Sequence, residues 1–258
     1  METTQEPEIL FTCDNSGVAT LMLNRPDRLN AFGPSMLKAW AQTLNDAQAD
    51  PKVRVIVVTG AGRAFSSGGD VKSMEERSAV NAVARKAYGA EHLHPIPLAL
   101  QRIDKPVIAA VNGLARGAGM DMALMCDIRI AAVSATFAES YINIGLIAGG
   151  GGTYFLPRLV GTAKALELFW TGRTLNATEA EAIGLINQAV PDDEFPRVVY
   201  ELAAAIAAQP TDAVKTFKRA VRQSMTMDLE SHLDMVSSHL AVLRDSPEHL
   251  ERVKAFKR

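Results

Sequence analysis

One pattern occurs twice in this chain and leaves few folds open to it. An apolar run, Val53-Arg54-Val55-Ile56-Val57-Val58-Thr59, enters a glycine-rich loop from Gly60-Ala61-Gly62 to Gly68-Gly69, followed by Asp70. The second copy runs Val107-Ile108-Ala109-Ala110-Val111, then Asn112-Gly113, Gly117-Ala118-Gly119 and Asp121. Both read as strand, glycine loop, acid and helix. Short apolar runs bounded by turn residues are strands covered on both faces. A helix from about Asn81 to Ile103 separates the copies and stops at Lys105-Pro106. A third strand, Asp127 to Ala132, leads through Phe137 to another glycine run, Gly149-Gly150-Gly151-Gly152. Strands alternating with helices predict an α/β layer architecture.

The flanks extend this frame. Ile9 to Cys13 and Val18 to Leu23 form a hairpin across the turn cluster Asp14-Asn15-Ser16-Gly17. After the break at Asn24-Arg25-Pro26-Asp27, Pro34 opens a helix to about Ala49 with Met36, Leu37, Trp40 and Leu44 on one face. From Pro191 the spacing turns helical throughout: Glu194 to Ala208, Thr211 to Met225, Asp228 to Leu243 and Pro247 to Phe256. The expected division is an α/β core over 1–190 and a helical region over 191–258. The tail has apolar faces to bury, which predicts packing on the core or on another subunit.

Glycine in such loops permits close backbone approach to a ligand. A loop that enters a helix aims unpaired N–H groups at one point. Two such loops could each give one N–H to the same oxygen, which is the geometry of an oxyanion hole; for a single loop, tight strand–helix packing is the simpler reading. Other glycine-loop chemistries fail: G-x-x-x-x-G-K-[ST], G-x-G-x-x-G after a strand, and G-x-S-x-G are all absent. Across 258 residues, 27 basic and 29 acidic side chains leave a net charge of −2, with no basic footprint for nucleic acid. No apolar run approaches the ~18 residues of a membrane span. The acidic start, Met1 to Glu8, is the reverse of a targeting leader, and two cysteines form no disulfide framework, so a cytoplasmic location is expected. His92 and His94 lack a third ligand at suitable spacing, so no metal is expected.

Several ordered motifs resemble the crotonase (enoyl-CoA hydratase/isomerase) superfamily: Leu23-Asn24-Arg25-Pro26, Asn30-Ala31, the run from Arg63 to Lys72, the run from Lys105 to Gly113, the Gly117-to-Asp127 segment, and Gly151-Gly152-Thr153 with Leu156-Pro157-Arg158. The resemblance spans about Ile9 to Phe256. It implies a spiral of ββα repeats with a helical C-terminal trimerisation region, assembled as homotrimers or homohexamers. It also implies a coenzyme A thioester as substrate and no separate cofactor. The thioester oxygen would lie between the backbone N–H groups of Gly69 and Ala118. Ala64, Gly68, Asp70 and Val71 would line the path of the adenine and pantetheine; Lys72, Arg25 and Arg28 would meet phosphates, and Phe256 and Lys257 match positions that reach a coenzyme A site.

The chain departs from the pattern at the acids. Hydratases of this family hold one water between two carboxylates. The first position is Asp121, but the second is Tyr141, with Glu139 two residues earlier. On an extended chain Glu139 would share a face with Tyr141, displaced by about 7 Å. The segment from Gly145 to Gly150, where some isomerases carry an acid, has none. Asp121 could act as a general base if burial raises its proton affinity, with Tyr141 orienting water, donating a proton or simply walling the pocket. Arg116 reads as a surface cation or as a selector of the acyl tail. Hydration of a 2-enoyl-CoA leads, followed by double-bond isomerisation with a single acid, and then by a non-catalytic acyl-CoA-binding role.

Overall fold

Val55 and Val57 point to one side of their strand and Ile56 and Val58 to the other, and all four are buried. Such a strand lies between two packed layers. The computed structural model describes residues 6–70 and 80–256 and shows those layers.

Strands β1 (Ile9–Cys13) and β2 (Val18–Leu23) form the expected hairpin. Strands β3 (Val55–Gly60), β5 (Val107–Val111), β7 (Ile128–Ala132) and β10 (Gln188–Val190) complete a six-stranded sheet. Its order is β1-β2-β3-β5-β7-β10, parallel from β2 onward. A second sheet holds the short strands β4 (Ala64–Ser66), β6 (Leu114–Arg116), β8 (Thr136–Ala138) and β9 (Leu175–Asn176), in the order β4-β6-β8-β9. Each of three successive turns therefore sends one long strand to the large sheet and one short strand to the small one. The short strands lie inside or just before what the sequence presents as loops.

The turns are pressed together where glycine leaves room. A Cβ on Gly113 would overlap the Arg63 carbonyl, and one on Gly119 would overlap the Ser66 carbonyl. The second glycine loop thus rests directly on the backbone of the first.

Helix α1 (Pro34–Ala49) starts at Pro34 as expected and buries Met36, Leu37, Trp40, Ala41, Leu44 and Ala47 on one face of the large sheet. The helix expected from Asn81 to Ile103 is divided into α2 (Ala82–Tyr88), a wide turn over Gly89–Leu93, and α3 (Pro95–Arg102). Pro95 and Pro97 carry no N–H for the preceding turn, which prevents one regular ladder. Helix α4 (Ala118–Leu124) follows the second glycine loop, and α5 (Gly152–Val160), α6 (Thr162–Thr171) and α7 (Ala177–Ala182) follow the third.

Helix α8 (Phe195–Ala207) covers the other face of the large sheet. Its Phe195, Val199, Ala203 and Ala207 pack on Val18, Val55, Val57, Ile108, Ala110, Ile130 and Ala132. Helices α9 (Thr211–Ser224) and α10 (Leu229–Arg244) bury no residue fully, and α11 (Pro247–Phe256) follows them. A polar clamp holds α9 to the core: Lys218 Nζ and Arg222 Nη2 reach the two oxygens of Asp127 at 2.6 and 2.8 Å. No helix among the described residues is long and apolar enough to cross a membrane.

Candidate active site

The first glycine loop is fixed from below by Asn30. Its φ of 55° is one that asparagine tolerates, and its side chain is wholly buried. Asn30 Nδ2 donates to the carbonyls of Ala61 and Ala64 at 2.9 and 2.8 Å, while Oδ1 accepts the Arg25 N–H at 2.9 Å. Above this knot, Phe32 N–H donates to the Gly68 carbonyl and Asp70 N–H donates to the Phe32 carbonyl. That register leaves the N–H of Gly69, between them, on the opposite edge. Ala118 is the first residue of α4, so its N–H has no acceptor within the helix.

Gly69 and Ala118 lie on the wall of one cavity of about 420 Å³. Phe32, Leu37, Leu93, Leu146 and Ile147 give it an apolar lining, and Tyr141 and Gly150 complete the wall near Ala118. No carboxylate among the described residues is on that wall. Asp121 lies behind it, wholly buried in the first turn of α4. Its Oδ2 accepts the Tyr141 hydroxyl at 2.7 Å and the Gly150 N–H at 3.1 Å. Tyr141 therefore stands between the cavity and the acid. Glu139, 1% exposed, lies beside Asp121, and the two carboxyls face the same point, the Cβ position of Gly152. A Cβ on Gly152 would overlap Asp121 Oδ1, so only glycine lets the third loop close over the carboxylate.

Burial dominates the electrostatics. It pushes the Asp121 carboxyl well above the usual aspartate range, against the opposing pull of its Tyr141, Glu139 and glycine hydrogen bonds. Glu139 is pushed up by burial and, in addition, by the charge of Asp121. The Tyr141 phenol also rises, first from burial and then from the neighbouring aspartate, so it stays protonated.

The remaining expected site residues are spread along the first loop and the termini. Ser67 and Gly69 from that loop are on the cavity wall, whereas Ala64, Gly68 and Asp70 are not among its lining residues. Arg25 is engaged by Glu8 at 3.3 Å, Asp70 at 3.2 Å and the Ala31 carbonyl at 2.7 Å, so it braces the loop. Arg28 is exposed beside Asp27 at 3.8 Å. Arg116 is exposed at the end of β6 and is off the cavity wall. Val71, Lys72 and Lys257 lie outside the described residues, as does the Phe256 side chain. Sequence reasoning missed the Gly150 N–H as a partner of Asp121 and the apolar wall from Leu146 and Ile147; the glycine run was visible, but not the direction of its amides. The described residues contain no group of three or more His, Cys, Asp or Glu side chains able to hold a metal ion.

Stacked ββα turns whose glycine loops line one cavity, with a buried acid behind its wall, define a crotonase-fold protein. The chain belongs to the enoyl-CoA hydratase/isomerase family, whose model matches residues 14–257. It is 36% identical over 249 residues to the 1,2-epoxyphenylacetyl-CoA isomerase of Escherichia coli, covering 96% of this chain and 95% of that protein. It is 34% identical over 240 residues to the short-chain-enoyl-CoA hydratase of Clostridium acetobutylicum, covering 93% and 90%. A crystal structure of an enoyl-CoA hydratase from Mycobacterium smegmatis superposes with a TM-score of 0.91 at 34% identity, covering 97% of this chain and 96% of that one.

Proposed function

We propose that the cavity takes an enoyl-CoA thioester and that the protein moves a proton on the acyl carbons beside the thioester. The thioester oxygen sits between the N–H groups of Gly69 and Ala118. As the substrate C–H bond breaks, its proton passes to the Tyr141 oxygen while the Tyr141 proton passes to Asp121 Oδ2. The electron pair moves onto the thioester oxygen as an enolate, which the two N–H groups stabilise. One such donor is worth roughly 3–4 kcal/mol in known oxyanion holes. Return of the proton at a different carbon gives a shifted double bond. The observation that carries this reading is the 2.7 Å bond from Tyr141 to Asp121, which puts the end of a proton path on the cavity wall.

Isomerisation needs one proton-transfer group, and the Tyr141–Asp121 hydrogen bond supports that reading. Hydration is the second reading, favoured by the presence of two carboxyls, Asp121 and Glu139, behind Tyr141. Incubation with a panel of enoyl-CoAs in heavy-oxygen water separates the two. Double-bond migration without label supports isomerisation and label in the product supports hydration. Silence across the panel, with thioester still bound, would leave only an acyl-CoA-binding role.

The same reading uses exposed Arg28 for the phosphates, requires no cofactor beyond coenzyme A, and places the protein in the cytoplasm, in keeping with free Cys13 and Cys126. It also makes the chain a homotrimer or homohexamer through its helical tail. Support for the assembly comes from the apolar residues left exposed on α9 and α10, including Phe217, Val221, Leu229 and Leu233. Sedimentation of a fully active monomer would contradict it.

A further inference from the structure

Glu139 is a buried carboxyl that this proton path does not use. It sits where β8 runs into the turn Ser140–Ile144, beside the acid that the path does use. Both of its oxygens and Asp121 Oδ1 are shut off from solvent, and none of the three has a hydrogen-bond partner. Gly152 explains the approach: a Cβ there would stand 3.0 Å from Glu139 Oε1 as well as overlapping Asp121 Oδ1. The two acids share the space that a side chain at 152 would fill.

Two ionised carboxylates cannot share that space, because no solvent reaches it to screen them. One proton between them gives the orphaned oxygens a donor and an acceptor. The surroundings decide which acid keeps it. Asp121 already accepts the Tyr141 hydroxyl and the Gly150 N–H, and both bonds favour its ionised form. Glu139 accepts nothing. Tyr141 is the other titratable group packed on the pair, and α5 and the segment before it present backbone N–H groups.

We propose that Glu139 is a positioning residue that remains protonated and donates to Asp121 Oδ1, fixing the single negative charge of the site on Asp121 and aiming Oδ2 at Tyr141. This rests on the reading of Asp121 as the proton acceptor. Infrared spectroscopy of the free protein at pH 8 tests where the proton sits, and needs no substrate. The band of a buried protonated carboxylic acid should be present in the wild type, persist in Asp121→Asn and vanish in Glu139→Gln. Kinetics test the positioning. Glu139→Leu should lower kcat by about tenfold or more, change KM by less than about threefold and shift the acid limb of the pH profile upward. Glu139→Gln, which keeps a donor, should restore most of that loss. A band that survives Glu139→Gln, or that disappears in Asp121→Asn, would overturn the proposal. So would equal damage from Gln and Leu. Should the wild type turn over no thioester, the functional reading fails by itself, while the infrared result still locates the proton.

Discussion

Asp121 is held between opposing forces: burial favours its neutral form, and two donors on Oδ2 favour its charged form. A general base at neutral pH needs that balance, ionised but with raised proton affinity. Asp121→Asn keeps the shape and removes the acceptor. It should lower turnover by about 10²–10⁴-fold with thioester binding nearly intact. Tyr141→Phe removes the hydroxyl link but leaves room for a water, and about 10–100-fold is expected; both are read from kcat and KM on the best enoyl-CoA found. Glu139 gives a signed stability prediction. Its proton affinity is raised in the folded protein, so unfolding above pH 4.5 releases a proton and wild-type stability falls as pH rises. Glu139→Gln lacks that term, so its thermal midpoint relative to the wild type should climb from pH 5 to pH 8. A difference that is flat or shrinks over that range would mean Glu139 is ionised in the fold. At this scale Asp121, Tyr141 and Glu139 were legible as candidates because acids and phenols next to glycine loops are few. Their mutual contacts were not, since they depend on where the third loop crosses the first turn of α4.

The strands and helices carry the site through contacts between neighbouring turns. Gly119 follows the Ala118 donor and rests on the Ser66 carbonyl, one strand end away from the Gly69 donor. Gly119→Ala would push the two loops apart. It should cost about 1–3 kcal/mol in thermal denaturation and weaken thioester binding more than that loss of stability accounts for. Unchanged binding in a destabilised variant would separate the two donors from one oxygen. Strong local signals made most elements readable: the β1–β2 turn, Pro34 at the start of α1, and the tail punctuated near Pro210 and Pro247. The short strands β4, β6 and β8 were not readable as strands, because three residues are too few to show a period. Asp127 shows another limit. It reads as the first residue of a strand, yet β7 begins at Ile128 and Asp127 instead accepts from Lys218 and Arg222 of α9. Partners 91 and 95 residues away leave no local trace.

At the scale of the molecule, the two sheets divide the labour. The large sheet is covered by α1 and α3 on one side and α8 on the other; residues of the glycine loops beside the small sheet line the cavity. The repeat was visible because each turn uses the same order of strand and glycine. How the turns stack was not, because the contacts between loops join residues far apart in the chain: Asn112 Nδ2 donates to the carbonyls of Gly60 and Gly62, 52 and 50 positions away. In the proposed function this cavity stabilises a thioester enolate and Asp121 receives the proton. Deuterium exchange at the carbon beside the thioester of butyryl-CoA in heavy water, followed by mass spectrometry, tests this without assuming hydration or isomerisation. The wild type should incorporate deuterium at that carbon, free butyrate should not exchange, and Asp121→Asn should abolish the incorporation. A wild type that binds the thioester without exchange, or an Asp121→Asn variant that exchanges at the wild-type rate, would contradict it.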